Sequence, residues 1–169
     1  MPSVTVTASS ACTVDQNRIP KIDIRLCTVA DVEGKTDSLF QEHYEEVARN
    51  KEIMVLKPNW PQYYAVEKAG ALFVHVATQA DEIIGYSVNF VQHHFHYADL
   101  KYCQNDVLFV KNKLRGGRLG LRLMKATENH AKSLGCKLML WHCKPHTPLN
   151  EILPRLNYGV QDIVYSKEI

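Results

Sequence analysis

The sequence predicts a single α+β domain built around one β-sheet. Two periodicities indicate this class: apolar residues alternate with polar ones in some stretches and recur every three to four residues in others. The stretches follow one another in the order β-α-α-β-β-β-α-β-α-β, without an internal repeat. We assign residues 21–169 to this domain and residues 1–20, which are rich in Ser and Thr without a clear period, to an N-terminal extension.

The first part of the domain predicts a strand followed by two helices. Alternation from Ile22 to Cys27 is typical of a half-buried strand. The polar run Thr36-Asp37-Ser38 offers a helix cap, and the residues after it form an apolar face. That face contains Leu39, Phe40, His43, Tyr44 and Val47. A short second helix is predicted from Tyr63 to Lys68, ending at Gly70.

Three strands are predicted next. Ala71 to Thr78 and Ile83 to Gln92 are joined by a polar connection of hairpin length, residues 79–82. The third strand runs from about Tyr102 to Val110.

The last part of the domain predicts the longest helix, which begins in the segment Arg115 to Gly120 and ends at Leu134, before Gly135. It is followed by three shorter elements. These are a strand at Lys137 to Cys143, a helix near Leu149 to Leu156 and a final strand at Asp162 to Lys167.

Composition excludes several classes of protein. Hydrophobic residues at 46% and charged residues at 22% are ordinary for a globular protein, and no apolar run approaches the ~18 residues of a membrane helix. The net charge of +2 is too small to indicate nucleic acid or an anionic membrane as a partner. Five cysteines without a CxxC pair argue against a disulfide framework, so we expect a cytoplasmic protein.

Chemistry is concentrated between Asp106 and Leu134. A buried strand, residues 107–110, leads through Arg115-Gly116-Gly117-Arg118-Leu119-Gly120 directly into a helix. Free backbone N–H groups at a helix start, the helix dipole and closely approachable glycines together favour an anion. The residues alone leave open the alternative that this segment is only a tight turn that binds no ligand. The segment is neither a Walker loop nor a Rossmann fingerprint, because the motifs G-x-x-x-x-G-K-[ST] and G-x-G-x-x-G are both absent.

The segment resembles the signature of the GNAT superfamily of N-acetyltransferases, [RQ]-x-x-G-x-[GA], preceded by a strand of the form D-x-x-x-V-x-P-x-x-R-G. The matching residues are Asp106, Val110, Arg115, Gly116 and Gly120. Asn112 departs from the family's frequent proline and Arg118 from its central glycine. The R-G-G-R-x-G form, with His96-Tyr97 upstream, resembles acetyltransferases encoded by bacteriophages.

The resemblance implies a mixed central sheet in which two parallel strands splay apart and admit acetyl-CoA. It implies direct transfer of the acetyl group to an amine on a small molecule or a protein; a catalytically silent acyl-CoA-binding or regulatory protein of the same fold is the alternative. A homodimer is left open. The expected cofactor-binding residues are Leu108, Phe109, Val110, Arg115, Gly116, Gly117, Arg118, Leu119, Gly120 and Leu121.

Two residues are candidates for the base that deprotonates the amine. His142 follows the strand expected to line the acetyl group, and neutral imidazole suits proton transfer near pH 7. Asp106 is the second candidate, acting through water. The tyrosine that many family members use as the acid is replaced by Leu153.

Four aromatic or imidazole side chains are expected to shape the acceptor site: His96, Tyr97, Trp60 and Tyr63. Two groups of residues could also provide metal ligands: the run His93-His94-Phe95-His96 and the set His142, Cys143 and His146. A metal needs three converging ligands, and strand alternation directs His142 and Cys143 to opposite faces. We therefore expect no metal.

Overall fold

The computed structural model describes residues 20–169, so the predicted extension lies almost wholly outside the described residues. Ten α-helices and β-strands follow one another in these residues, with a 3-10 helix at Asn112–Leu114 between the seventh and the eighth. They are β1 (Asp23–Cys27), α1 (Val29–Val32), α2 (Asp37–Val47), α3 (Trp60–Lys68), β2 (Leu72–Gln79), β3 (Glu82–His93), β4 (Lys101–Val110), α4 (Leu119–Ser133), β5 (Leu138–Trp141) and α5 (Pro148–Arg155). The predicted α+β class is confirmed.

The five strands form one mixed sheet in the order β1-β2-β3-β4-β5. The pairs β1–β2, β2–β3 and β3–β4 are antiparallel, and the pair β4–β5 is parallel. Ala80 and Asp81 join β2 to β3 with φ values of 49° and 65°, which give the tight, right-twisted turn of a two-residue hairpin. No helix in residues 20–169 is both long and apolar enough to cross a bilayer.

The sheet has a hydrophobic layer on each face. Alternate β2 residues divide between the faces: Val74 and Val76 join the cluster beneath the first three helices, whereas Phe73 packs with Ala131 of α4. Helix α4 also buries Leu119 and Leu123 against the sheet. The sheet is therefore fixed between α1–α3 and α4.

Two features of the predicted element order are corrected. The chain forms a third helix before β2, the four-residue α1, whose Thr28 and Asp31 make a capping box. The predicted final strand at Asp162 to Lys167 is not formed. A strand requires a neighbour for its backbone hydrogen bonds, and no backbone group of residues 159–169 is bonded to another residue within 20–169.

Candidate functional site

The parallel strands β4 and β5 pair over only part of their length. Tyr102–Asn105 of β4 pairs with Leu138–Trp141, and β4 then continues to Val110 along β3 alone. The edge of residues 106–110 that faces away from β3 is thus left without a strand neighbour. A cavity of about 560 Å³ opens beside it, a volume suited to a small ligand or cofactor.

Asp106 lies at a β-bulge where this gap begins. Asn105 pairs with Asn89 and Val107 with Val88, so Asp106 has no partner on β3. The buried Asn105 amide nitrogen spans the irregularity by donating to the carbonyl oxygens of Val107 at 2.8 Å and Val88 at 3.1 Å. Because a bulge changes the direction of a side chain, it explains how a strand residue comes to line the cavity.

The Asp106 carboxyl group is accessible within the cleft yet surrounded by protein. Desolvation raises its pKa above the ordinary Asp value, and the charge of nearby His142 opposes that shift. The pKa of Tyr63 is raised by burial and, to a smaller degree, by Asp106. A carboxylate with a raised pKa is a stronger base than an exposed one, which suits it to accept a proton.

The start of α4 presents unpaired amides to the same cavity. Arg118 is the N-cap and makes no side-chain capping bond. Within residues 20–169, the N–H groups of residues 116–121 have no hydrogen-bond acceptor. Gly116 has φ +84°, which favours glycine, and a Cβ added to Gly120 would meet no atom within 4 Å. The loop is therefore an open site for an anion.

Arg115 has a different contact from the one expected. Its guanidinium forms a bidentate pair with Glu46 of α2, at 2.5 and 2.8 Å, and its Nε donates to the Val110 carbonyl at 2.8 Å. The guanidinium also lies 4.9 Å from the centre of the Phe109 ring. These contacts fasten the glycine loop to α2 and β4, and they leave exposed Arg118 as the available guanidinium beside the loop.

His43 lines the cavity although the sequence did not predict it as a site residue. The sequence predicted only that it lies on the apolar face of a helix. Its Nδ1 lies 2.7 Å from the Tyr86 hydroxyl and its ring 4.6 Å from that of Phe109. Burial lowers the His43 pKa to about 4, so the imidazole is neutral near pH 7. Burial raises the pKa of Tyr86, so its hydroxyl stays protonated and the contact with His43 is a hydrogen bond between two neutral groups. Only the spacing from Phe40 to Val47 marked this residue in the sequence.

The segment after β5 forms the opposite wall. Lys144 Nζ donates to the Val47 carbonyl at 2.5 Å and joins this segment to the end of α2. Thr147 caps α5 and also donates to the Lys144 carbonyl at 2.7 Å. Burial raises the pKa of the Cys143 thiol, which keeps it protonated and unsuited to nucleophilic catalysis.

Most of the predicted site residues are brought together. Those that line the cavity are Asp106, His142, Leu108, Phe109, Val110, Arg115, Gly116, Gly117, Gly120 and Leu121. Leu119 is 5% exposed and packs in the core, so only its backbone can face a ligand. Arg118 lies outside the cavity lining, on the exposed side of the loop.

The four residues expected to shape the acceptor site do not line this cavity. Trp60 and Tyr63 of α3 pack against the core beneath α2, with ring centres 5.8 Å apart. His96 and Tyr97 lie in the exposed connection between β3 and β4. Among residues 20–169, no three His, Cys, Asp or Glu side chains are placed to hold a metal ion.

Comparison with known protein families decides the class. A model described as the acetyltransferase (GNAT) family matches residues 36–151. The chain belongs to this family. The match includes Asp106, the glycine loop and His142. Proteins of the GNAT family use acetyl-CoA, and both the splayed strands and the free amides of this chain lie within the matched residues. No curated protein sequence matches the chain.

Solved structures share the fold at low identity. Ribosomal-protein-alanine N-acetyltransferase from Brucella melitensis biovar Abortus 2308 is 13% identical with a TM-score of 0.65, covering 88% of this chain and 99% of that one. Glucosamine-6-phosphate N-acetyltransferase from Arabidopsis thaliana is 16% identical with a TM-score of 0.66, covering 88% and 98%. Aminoglycoside N-acetyltransferase AAC(6')-Iy in complex with CoA is 16% identical with a TM-score of 0.63, covering 87% and 100%.

Proposed function

We propose that this protein transfers the acetyl group of acetyl-CoA directly to an amine. The observation that carries the proposal is the set of unpaired amides at residues 116–121, which opens on the gap between β4 and β5. Backbone N–H groups at a helix start suit a diphosphate, and the unpaired β4 edge suits the amide groups of a pantetheine arm. The exposed Arg118 guanidinium adds positive charge beside the loop.

The reaction requires a neutral amine and one proton acceptor. The amine nitrogen attacks the thioester carbonyl, a C–N bond forms, the C–S bond breaks and CoA leaves as a thiolate. A lysine-like amine has a pKa of about 10.4, so a base must take its proton. We assign this role to Asp106, directly or through water, with His142 as the neighbouring alternative. Burial lowers the pKa of His43 to about 4, so its imidazole is a weak acceptor for the amine proton, and we assign it no part in the proton transfer.

Protonation of the departing thiolate falls to water in this proposal. Leu153, at the family's tyrosine position, is 8% exposed and packs in the interior. Tyr158 is nearby in sequence, but its hydroxyl donates to Glu128 and its pKa is raised to about 12. Neither residue offers a free acid to the cavity.

The acceptor is proposed only as an amine, on a small molecule or a protein. We retain His96, Tyr97, Trp60 and Tyr63 as candidates for the acceptor site. Of these, Tyr63 lies close enough to Asp106 for the carboxylate to raise its pKa. The motif Arg115–Gly120, together with His96-Tyr97, supports the proposal that the protein is of the phage-encoded type. The free cysteines support the proposal of a cytoplasmic location. Both remain proposals.

The proposal is tested by measuring free-thiol release from acetyl-CoA across a panel of amines. The panel contains an alanine-terminated peptide, a lysine peptide, glucosamine-6-phosphate, an aminoglycoside and a polyamine. We expect turnover with one acceptor class and a higher melting temperature with CoA than with ATP. Stabilisation by CoA without turnover on any amine would favour the silent acyl-CoA-binding alternative, which the buried Leu153 supports. Stabilisation by ATP alone would refute both.

A further inference from the structure

The β-bulge at Asp106 exchanges the two faces of β4. Before the bulge, Cys103 packs on the α4 side of the sheet, in the cluster that contains Ala131. After it, Phe109 packs on the opposite side, beneath α1–α3, and Val110 packs on the α4 side. In a regular strand Cys103 and Phe109 would share a face, because they are an even number of positions apart. The bulge therefore decides which later residues of β4 face each layer.

The side chain of Asn105 holds the two strands together across the bulge. It is 0% exposed. Its Nδ2 donates to the Val107 carbonyl at 2.8 Å, beyond the bulge, and to the Val88 carbonyl at 3.1 Å, on β3. Asn89 Oδ1, at 2.9 Å, and Ser87 Oγ, at 3.2 Å, are also within its reach. Because a bulge interrupts the backbone ladder, this amide replaces part of the connection that the ladder loses.

These contacts require a donor at position 105. The carbonyl oxygens of Val88 and Val107 can only accept. Asn89 Oδ1 also accepts, since the nitrogen of the same amide donates to the Ser87 carbonyl at 3.2 Å. Asn105 Oδ1 has no hydrogen-bond partner within residues 20–169, so the donor end alone orients this amide. A side chain of the same size without a donor would leave the bulge unsupported.

A buried polar network connects this amide to α4. Thr127 Oγ1 lies 3.2 Å from Ser87 Oγ, which in turn lies beside Asn105 Nδ2. Ser87, Asn89, Asn105 and Thr127 are each 0% exposed. Hydrogen bonds in such a dry environment are strong and hold one arrangement. Thr127 fastens the network to the helix but makes no hydrogen bond to the bulge itself.

We propose that Asn105 is a positioning residue for the acetyl transfer: its side-chain amide holds the bulge and thereby directs the Asp106 carboxyl group into the cavity. The inference rests on the proposed function, in which Asp106 accepts the amine proton. Asn105 does not line the cavity, so it acts through Asp106 and not on a substrate. The titratable groups that interact with this carboxyl group are His142 after β5, Tyr63 of α3 and Tyr86 of β3.

The first test is the NMR titration of the Asp106 carboxyl carbon, whose signal is assigned with D106N. The wild-type midpoint should lie above the ordinary Asp value, because the cavity desolvates the group. In N105A the carboxyl group should turn towards solvent, and the midpoint should fall to the ordinary value. T127V is the matched control, since it removes a donor from the same buried network without contacting the bulge. A wild-type midpoint in N105A, or an equal fall in T127V, would overturn the proposal.

Kinetics then establish whether Asn105 acts through Asp106. We expect kcat of N105A to fall by about 10-fold or more, because displacing a catalytic group by about 1 Å can cost about 100-fold. The acid limb of kcat/KM should move to lower pH, whereas T127V should keep the wild-type kcat and limb. If N105A melts below the assay temperature, N105S, which keeps one donor, provides the same comparison.

A double-mutant cycle completes the test. N105A combined with D106N should be no slower than D106N alone, since the positioned group is already lost. Additive losses of kcat would show that Asn105 acts elsewhere and would overturn the proposal. An absence of turnover in the wild type would refute the proposed function instead, and the NMR titration would still decide the role of Asn105.

Discussion

At the scale of single residues, the bulge explains how Asp106, already a candidate base from the sequence, comes to line the cavity. It interrupts the β3–β4 ladder and turns a carboxyl group with a raised pKa into the cavity. From the sequence alone, His142 is the first candidate for the base and Asp106 the second. Both side chains are exposed, and we favour Asp106 because the bulge directs it to the cavity and desolvation raises the pKa of its carboxyl group.

Replacing Asp106 with Asn should lower kcat by about 100-fold, the scale of a lost general base. Because the base must be ionised, activity in the wild type should rise with pH through a pKa above the ordinary Asp range, and this limb should disappear in D106N. The pH dependence of kcat/KM measures both effects. D99N, a loop acid exposed to solvent, is the control. An unchanged acid limb in D106N would assign it to another group.

Replacing His142 with Ala should have a smaller effect that identifies its relation to Asp106. Loss of the imidazole removes the positive charge that lowers the Asp106 pKa, so the acid limb should move to higher pH. CoA affinity should be unchanged, because the glycine loop is untouched. A fall in turnover larger than that of D106N would make His142 the base.

At the scale of elements, the start of α4 is the feature that the sequence predicted best. Glycine spacing predicted the turn, and the helix ends at Ser133, one residue before its predicted last residue, with Gly135 at φ +84° two positions on. Local sequence also located α2, α3 and the hairpin to within a few residues. Short α1 was missed because four residues carry no periodicity.

The interactions that the sequence could not predict are those between distant elements. Glu46 and Arg115 are 69 positions apart, so no local pattern shows that Arg115 fastens the loop to α2. The position of His43 against Tyr86 likewise depends on the packing of α2 over β3. The prediction of a final strand at residues 162–167 was wrong for the same reason: alternation gives strand propensity, but no strand in residues 20–169 pairs with this segment.

Replacing Gly120 with Trp should abolish CoA binding. An added Cβ at Gly120 meets open space, so the indole can fill the cavity at the helix start without disturbing the core. We expect CoA affinity to fall by at least about 100-fold, which corresponds to about 2.7 kcal/mol. Isothermal titration measures it. K125W, on an exposed position of the same helix, should bind CoA normally. Wild-type affinity in G120W would remove the helix start from the binding site.

At the scale of the whole molecule, the loss of folding stability at low pH should arise in the hydrophobic core as well as at the candidate active site. His75 of β2 is 6% exposed and packs edge-on against Phe73 and His130, at 5.6 and 5.7 Å between ring centres. Its Nδ1 has no hydrogen-bond partner within residues 20–169. Burial, assisted by His130, lowers the His75 pKa from 6.5 to about 4.

A lowered folded-state pKa means that protons bind the unfolded chain more tightly. His75 therefore contributes stability above pH 6.5 that is lost as the pH falls towards 4, by up to about 3 kcal/mol. Replacing His75 with Leu should remove this part of the pH dependence while costing little at pH 7, because the unpaired Nδ1 loses no bond. Urea unfolding at pH 7 and pH 4.5 measures the difference. H96L, on the exposed β3–β4 connection, should retain the wild-type slope, and an equally steep slope in H75L would assign the acid sensitivity to other groups such as His43.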